Sequence, residues 1–259
     1  MRHFTAKFAV RRLANLAIDY VFPDGNVSCV LCHRPLFPPG ALPRIHQQTD
    51  ELAKHPGVCL FCEQELSSIH VAPVVRPMRV RVGNDVALVD VMSALRHEGI
   101  VRRAIRQWKY DGMLTATRWL SEWVVGGLRL SFDPLEVDAI TWVPTSLHRL
   151  RMRGYDHAQL LALEVASSLD KPLYQWLTRG TAKDSHSEPT WSQTARNKSG
   201  RQTGANHEYR LVRNVELEGK HILLVDDIVT TGSTLQACTR ALLEGGAKSV
   251  LAATVAFEV

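Results

Sequence analysis

Four successive apolar residues, Ile222, Leu223, Leu224 and Val225, run directly into Asp226 and Asp227 and then into "IVTTGST". Four apolar positions in a row leave a strand no solvent face, so this strand is read as buried on both sides, as in a parallel α/β sheet. Asp226 and Asp227 then close its carboxyl end, where open α/β sheets bind ligands. Thr230, Thr231, Gly232, Ser233 and Thr234 turn the chain into a helix whose first N–H groups are unspent and whose dipole favours an anion. The pattern describes a cradle for a phosphate monoester, with two carboxylates nearby to accept hydrogen bonds from sugar hydroxyls. A phosphorylated ribose meets both demands. Plain helix capping would account for Thr231 or Ser233, but not for adjacent carboxylates, which are costly at a strand end unless wet or liganded.

The rest of the chain supplies a frame for that strand. A helix pattern runs through Ile100, Val101, Ala104, Ile105 and Trp108 with Arg102, Arg103 and Arg106 outward, and a second through Leu114, Trp119, Leu120, Trp123 and Val124. Strands are expected at Val86–Val91, in "DAITWVP" up to Pro144, at "HILLV" and at "SVLAATVAF". A helix begins near Asp156, its N-cap, with Gln159 three residues on, and another spans about Ser233 to Leu243. Strands alternating with helices predict an α/β fold with a mostly parallel sheet flanked by helices. The polar stretch Thr181–His207 has almost no apolar residues and reads as a long loop, either functional or disordered.

The 259 residues suffice for one large domain or a medium one with an appendage. The expected division is an N-terminal helix plus cysteine module over 1–80 and the α/β domain over 84–259. No long uncharged apolar run is present, so a membrane span is not expected. The first 22 residues carry Arg11, Arg12 and Asp19 among apolar positions and read as an amphipathic helix, not an export signal. A net charge of +5 biases the chain mildly toward anionic partners, although solubility alone explains as much.

Cys29-x₂-Cys32 and Cys59-x₂-Cys62 are spaced so that each pair wraps two thiolates around one metal, and four thiolates make a closed tetrahedral Zn²⁺ site. The Pro- and His-rich segment around them has too few apolar residues to build a core, so a metal staple fits; redox pairs are the alternative. His33, His46 and His55 are read as surface residues, and Cys238, in an apolar helix pattern, as core. The module is either a staple alone or a small nucleic-acid or partner-binding unit.

"LLVDDIVTTGST" resembles the phosphoribosyl pyrophosphate (PRPP) signature of type I phosphoribosyltransferases, and lacks the glycine patterns of P-loop and dinucleotide folds. The order CxxC…CxxC, "LRHEGIVRRAIRQWKYDG", "VPTSLHRLRMRGYDHAQLLA", a Gln/Arg-rich loop and "LLVDDIVTTGST" resembles the ComF family of competence-associated phosphoribosyltransferase-like proteins, from about Val21 onward. The resemblance implies a type I phosphoribosyltransferase-like domain with an N-terminal zinc ribbon. It implies that Asp226 and Asp227, as catalytic residues, hold the ribose 2′- and 3′-hydroxyls, that Thr230 through Thr234 hold the 5′-phosphate, and that Mg²⁺ rides on pyrophosphate and ribose oxygens. It also implies a role in DNA uptake, a helicase-like competence translocase as partner, and a cytoplasmic or inner-membrane-face location. After "RGY" the family shows Asn then Gln, where this chain has Asp156 and His157. In the loop Gln193, Arg201 and Tyr209 match, while Arg196 and Gly204 stand where Leu and Asn are usual.

For the pyrophosphate, the candidates are Arg149, Arg151 and Arg153 after "TWVP", Lys109 in "WKYDG", and the loop residues Lys183, Arg196, Lys198 and Arg201, with solvated charge as the alternative. Two functions compete. One is a Mg²⁺-dependent transferase moving ribose 5-phosphate from PRPP to an acceptor, with His157, His186 and His207 as base candidates by proximity alone. The other is a non-catalytic adaptor binding single-stranded nucleic acid or regulating uptake while retaining the PRPP pocket. For it, Trp108, Lys109 and Tyr110 form the best local stacking platform.

Overall fold

The computed structural model describes residues 28–34, 57–133, 136–180 and 209–258. The expected N-terminal helix, His46 and His55, and the loop residues Lys183, His186, Gln193, Arg196, Lys198, Arg201, Gly204 and His207 lie outside them. The chain divides into two compact units, Met1–Ile69 and His70–Val259.

In the first unit a tight turn brings the chain back on itself: the Cys29 amide donates to the Arg34 carbonyl (2.7 Å) and the His33 amide to the Cys29 carbonyl (2.8 Å). His33 sits at φ 59°, the left-handed conformation this reversal needs. Cys59 is the N-cap of α1 (Leu60–Ser67), which buries Cys62, Glu63 and Leu66.

The second unit is built on a five-stranded sheet in the order β1-β2-β7-β6-β3. Its strands are β1 (Val74–Val82), β2 (Asp85–Arg96), β3 (Ala139–Trp142), β6 (His221–Val229) and β7 (Ser249–Phe257); β4 (Leu177–Arg179) and β5 (Tyr209–Leu211) form a separate antiparallel pair. Neighbours among β2, β7, β6 and β3 are parallel, and only β1 pairs antiparallel, through a turn at Gly83 with φ 57°. The mostly parallel sheet is therefore as expected. The sequence reading missed β1, because Pro77 interrupts its pattern; a proline is tolerated on this edge strand, where one side of the backbone needs no ladder partner.

Helices α2 (Gly99–Tyr110), α3 (Ala116–Ser131), α4 (Leu147–Arg153), α5 (His157–Leu169) and α6 (Ser233–Glu244) complete the unit. On β2, Val91 packs in a core cluster with Leu235, Cys238 and Leu242 of α6. The next residue, Met92, faces Gly127 of α3, where an added Cβ would come 2.9 Å from the Met92 sulfur. Adjacent strand residues point to opposite faces, so α3 and α6 cover opposite sides of the sheet. Burial of Ile222–Val225 follows. Between β2 and β7 a buried Ser93–Thr254 hydroxyl pair (2.8 Å) satisfies itself inside the sheet. The α2 pattern is as read, with Ile100, Val101, Ala104, Ile105 and Trp108 buried and Arg102, Arg103 and Arg106 exposed. Among the described residues no helix is long and apolar enough to cross a membrane.

Candidate functional site

The two acids do not close β6; the strand continues to Val229, which corrects the boundary read from the apolar run alone. The reason is β7, which stays paired alongside, with Asp226 opposite Thr254, Ile228 opposite Ala256 and Val229 opposite Phe257. On the other side β3 ends at Trp142, paired with Val225. The Val143 amide still donates to the Val225 carbonyl (3.0 Å). Pro144 has no N–H, and the Thr145 amide turns to the Asp156 carboxylate (Oδ2, 2.9 Å). Asp226 and Asp227 thus lie where β6 has lost one neighbour, at the carboxyl end of the sheet in the sense that matters for a ligand.

After Val229 the chain reverses through Gly232, at φ 75°, into α6. No side chain caps this helix, although the Thr231 hydroxyl lies 3.4 Å from the Ser233 amide and 3.2 Å from the Ser233 hydroxyl. A cavity of about 60 Å³ is lined by Asp226 and the turn from Ile228 to Leu235. Thr230, Thr231, Gly232, Ser233 and Thr234 are thereby gathered around one concave surface with Asp226. A larger cavity of about 270 Å³ shares the wall Val229–Gly232 but is otherwise lined from β1, β2, Gln236 of α6 and the end of β7, and includes neither Asp226 nor Asp227.

The Asp227 amide donates to Asp226 Oδ1 at 2.8 Å, fixing the first carboxylate beside the second residue. Burial, and after it the Asp227 charge, push the Asp226 carboxyl well above the usual carboxylate range. The Lys109 ammonium meets Asp227 Oδ2 at 2.9 Å, both side chains being largely shielded from solvent. Lys109 ends α2, and its place is set by the residue before it. Trp108 is fully buried, and its indole N–H donates to the Thr117 hydroxyl (2.9 Å). His157 Nε2 lies 2.9 Å from the Trp108 carbonyl and so carries the proton. The His157 ring also packs edge-on to Trp108 and Tyr155. Burial lowers its pKa, disfavouring the charged ring. His157, a base candidate by proximity alone, is a buried structural residue joining α5 to α2. Asp156 caps α5 as expected, Oδ1 accepting from the Ala158 and Gln159 amides.

Of the basic turn, Arg153 stacks over the exposed Tyr110 ring at 4.7 Å, next to Lys109. The turn is itself the helix α4, capped by Ser146, and Arg149 and Arg151 are exposed on it. Among the described residues Lys109 is therefore the cation in contact with Asp227, while the α4 arginines stand outside that contact.

Tyr209, at the start of β5, also reaches the turn, with Arg179 beside it. Arg179 and Tyr209 are cross-strand partners in the β4–β5 pair, with the guanidinium 5.3 Å from the centre of the Tyr209 ring. Tyr209 is buried and its hydroxyl hydrogen-bonds with the Thr234 side chain. Burial first, with Cys238 and Asp226 as lesser contributors, raises the Tyr209 pKa, while Arg179 opposes the rise. Arg179 was not singled out from sequence, since a three-residue strand offers no periodicity to read.

In the N-terminal unit, the sulfurs of Cys29, Cys32, Cys59 and Cys62 all lie within 4.8 Å of one another. Zn–S bonds of about 2.3 Å in a tetrahedron place sulfurs about 3.8 Å apart, and Cys32 and Cys59 stand at 3.6 Å. None of the four is in a disulfide. Burial opposes ionisation of Cys29, yet hydrogen bonds from the Cys59, Leu31 and Cys32 backbones outweigh it and lower that thiol to about 7. The quartet has the donor set and spacing to hold a metal ion such as Zn²⁺. Cys238 is fully buried in the core, as expected.

With this geometry in view, residues 157–258 match the family model described as "Phosphoribosyl transferase domain". The second half of the α/β unit thus carries a phosphoribosyltransferase-type domain. The chain is 24% identical over 212 residues to competence protein ComFC of Bacillus subtilis, covering 73% of this chain and 79% of that one. It is 32% identical over 117 residues to DNA utilization protein YhgH of Salmonella typhi, spanning 44% of this chain and 46% of that protein, less than half its length. These similarities bear out the resemblance to the ComF family. An adenine phosphoribosyltransferase structure from Thermoanaerobacter pseudethanolicus aligns at 14% identity over 69% of this chain and 81% of that one, with a TM-score of 0.34.

Proposed function

We propose that the second unit binds PRPP and transfers its ribose 5-phosphate to an acceptor, in the service of DNA uptake. The observation that carries the reading is the adjacency of Asp226 and Asp227 to the Thr230–Thr234 cradle, with Lys109 held on Asp227. Displacement at C1 breaks the bond to pyrophosphate and forms one to the acceptor, through a transition state with positive charge on the ribose ring. The two carboxylates accept hydrogen bonds from the 2′- and 3′-hydroxyls and favour that charge. Thr230 through Thr234 and the α6 N-terminus hold the 5′-phosphate. Lys109, and Arg149, Arg151 and Arg153 of α4, supply cations toward the pyrophosphate. Mg²⁺, bound with PRPP, would neutralise pyrophosphate charge. A good leaving group and a nucleophilic acceptor need no general base, consistent with the buried state of His157. In the first unit we assign Cys29, Cys32, Cys59 and Cys62 to one structural Zn²⁺.

The names of the relatives speak of competence and DNA utilization. We extend this to the present chain as a cytoplasmic component of DNA uptake working beside a helicase-like translocase. A second reading, a non-catalytic adaptor for single-stranded DNA that retains the pocket, is favoured by the exposed Tyr110 ring under Arg153, a stacking platform beside Lys109.

Calorimetric titration of the zinc-loaded protein with PRPP, with and without Mg²⁺, tests the first reading. Binding that requires Mg²⁺ and disappears in the Asp226→Asn/Asp227→Asn protein supports it. Absence of binding at millimolar PRPP, with single-stranded oligonucleotide bound instead, replaces it with the second.

A further inference from the structure

We propose that Arg179 completes the phosphate cradle, binding the 5′-phosphate monoester of the sugar phosphate from the β4 side of the turn, with Tyr209 as its positioning residue. The inference rests on the assignment of the Thr230–Thr234 turn to that phosphate and goes beyond it, since no motif places Arg179 in the site.

The electrostatics of the turn require a cation. "TTGST" offers amides and hydroxyls but no basic side chain, unlike phosphate loops that carry a lysine. Asp226 lines the same small cavity, Asp227 follows it in the chain, and the nearby ammonium of Lys109 is already engaged with Asp227. A phosphate monoester entering beside these carboxylates brings up to two further negative charges. Amides and a helix dipole alone oppose that charge weakly next to two acids.

Arg179 has the geometry to supply what the turn lacks. It is the last residue of β4, paired across the strands with Tyr209, and its guanidinium lies over the Tyr209 ring. Tyr209 in turn hydrogen-bonds through its hydroxyl with Thr234, a member of the cradle. One buried side chain therefore carries the guanidinium on its ring and touches the turn with its hydroxyl. Tyr209 also packs in one core cluster with Leu235, which lines the cradle cavity, and with Cys238 of α6. Arg179 Nε is buried and has no hydrogen-bond partner among the described residues. A buried donor left unspent is unfavourable, and a guanidinium fork is suited to phosphate oxygens. The stacked ring restricts the arginine without consuming its N–H groups, a pre-organised state that a ligand completes.

The test compares the full-length wild type, Arg179→Gln, Arg179→Lys and Tyr209→Phe, using ribose 5-phosphate and PRPP as probes in calorimetry and a single-stranded oligonucleotide as control. Melting temperatures verify folding. The expected result is that Arg179→Gln weakens ribose 5-phosphate by at least tenfold and flattens the salt dependence of its binding, because one charge contact is gone. Arg179→Lys retains charge and salt dependence but loses the fork, weakening binding by less than Arg179→Gln. Tyr209→Phe keeps the ring and weakens binding about threefold with the salt dependence unchanged. Wild-type affinity and salt dependence in Arg179→Gln would overturn the proposal while leaving the PRPP reading standing. Loss of oligonucleotide binding alone would also overturn it, assigning Arg179 to nucleic acid. Failure of the wild type to bind either sugar phosphate would remove the PRPP reading and this inference together.

Discussion

Lys109 Nζ stands 2.9 Å from Asp227 Oδ2, so the ligand-free site is not two bare acids but an acid pair with one built-in counter-charge. A ligand that hydrogen-bonds Asp227 must share or displace this contact, and a pyrophosphate group offers the ammonium a stronger anion. Lys109→Met is therefore expected to weaken PRPP by about tenfold or more, on the scale of a charge-assisted hydrogen bond, and ribose 5-phosphate by much less. Parallel calorimetric titrations check the difference; equal losses for both ligands would place Lys109 on the sugar side.

Asp226 holds its proton more tightly in the folded protein than in the unfolded chain, because burial and Asp227 disfavour its charge. Its contribution to stability is fully present below pH 3.8 and is lost as pH rises through the raised folded value. Asp226→Asn removes the titration. The gain in melting temperature of this variant over wild type is expected to grow with rising pH across that window, while PRPP binding disappears. A constant difference at every pH would argue against a raised carboxyl.

His157 has the opposite sign. Burial lowers its pKa below 6.5, so the unfolded chain takes up the proton first and stability falls as pH drops beneath 6.5. His97, lowered by burial as well, adds to the same slope. His157→Gln should flatten the fall below pH 6.5, as measured by urea denaturation, without changing PRPP affinity at pH 8 by more than about twofold. A large affinity loss at pH 8 would show that the His157–Trp108 bond sets Lys109 directly.

Gly127 lets α3 approach the sheet closely: an added Cβ would come 2.9 Å from the buried Met92 sulfur. Gly127→Ala is expected to destabilise by about 1–2 kcal/mol through overpacking, outweighing the helix-propensity gain of alanine. Chemical denaturation measures this, and a stabilised variant would show that Met92 repacks freely.

The parallel strands and amphipathic helices were legible because their burial is written in runs and spacings: Ile222–Val225, the α2 stripe, and "SVLAATVAF" each gave the element found. The end of β6 was not legible, since Asp226–Val229 remain extended through pairing with β7, a contact that leaves no local mark. β1 was hidden by Pro77 for the same reason of context. The cysteine quartet and the hydroxyl turn were legible as chemistry, because spacing alone fixes what such groups can do. Arg179 was not, for its meaning comes from Tyr209 across a strand pair and from Thr234 beyond it. The Lys109–Asp227 contact was half legible: both residues were named, but their meeting depends on how α2 ends against His157.

The departure of β3 from β6 at Pro144 has a consequence for hydrogen exchange. Thr145, two residues beyond the last ladder donor, spends its amide on Asp156 at the head of α5 instead of on the sheet. Its exchange rate therefore reports the integrity of a helix cap, whereas that of Val143 reports the sheet. Two amides one proline apart belong to different opening events, and the vacancy between them keeps one backbone flank of Asp226 and Asp227 from being zipped shut by the protein itself.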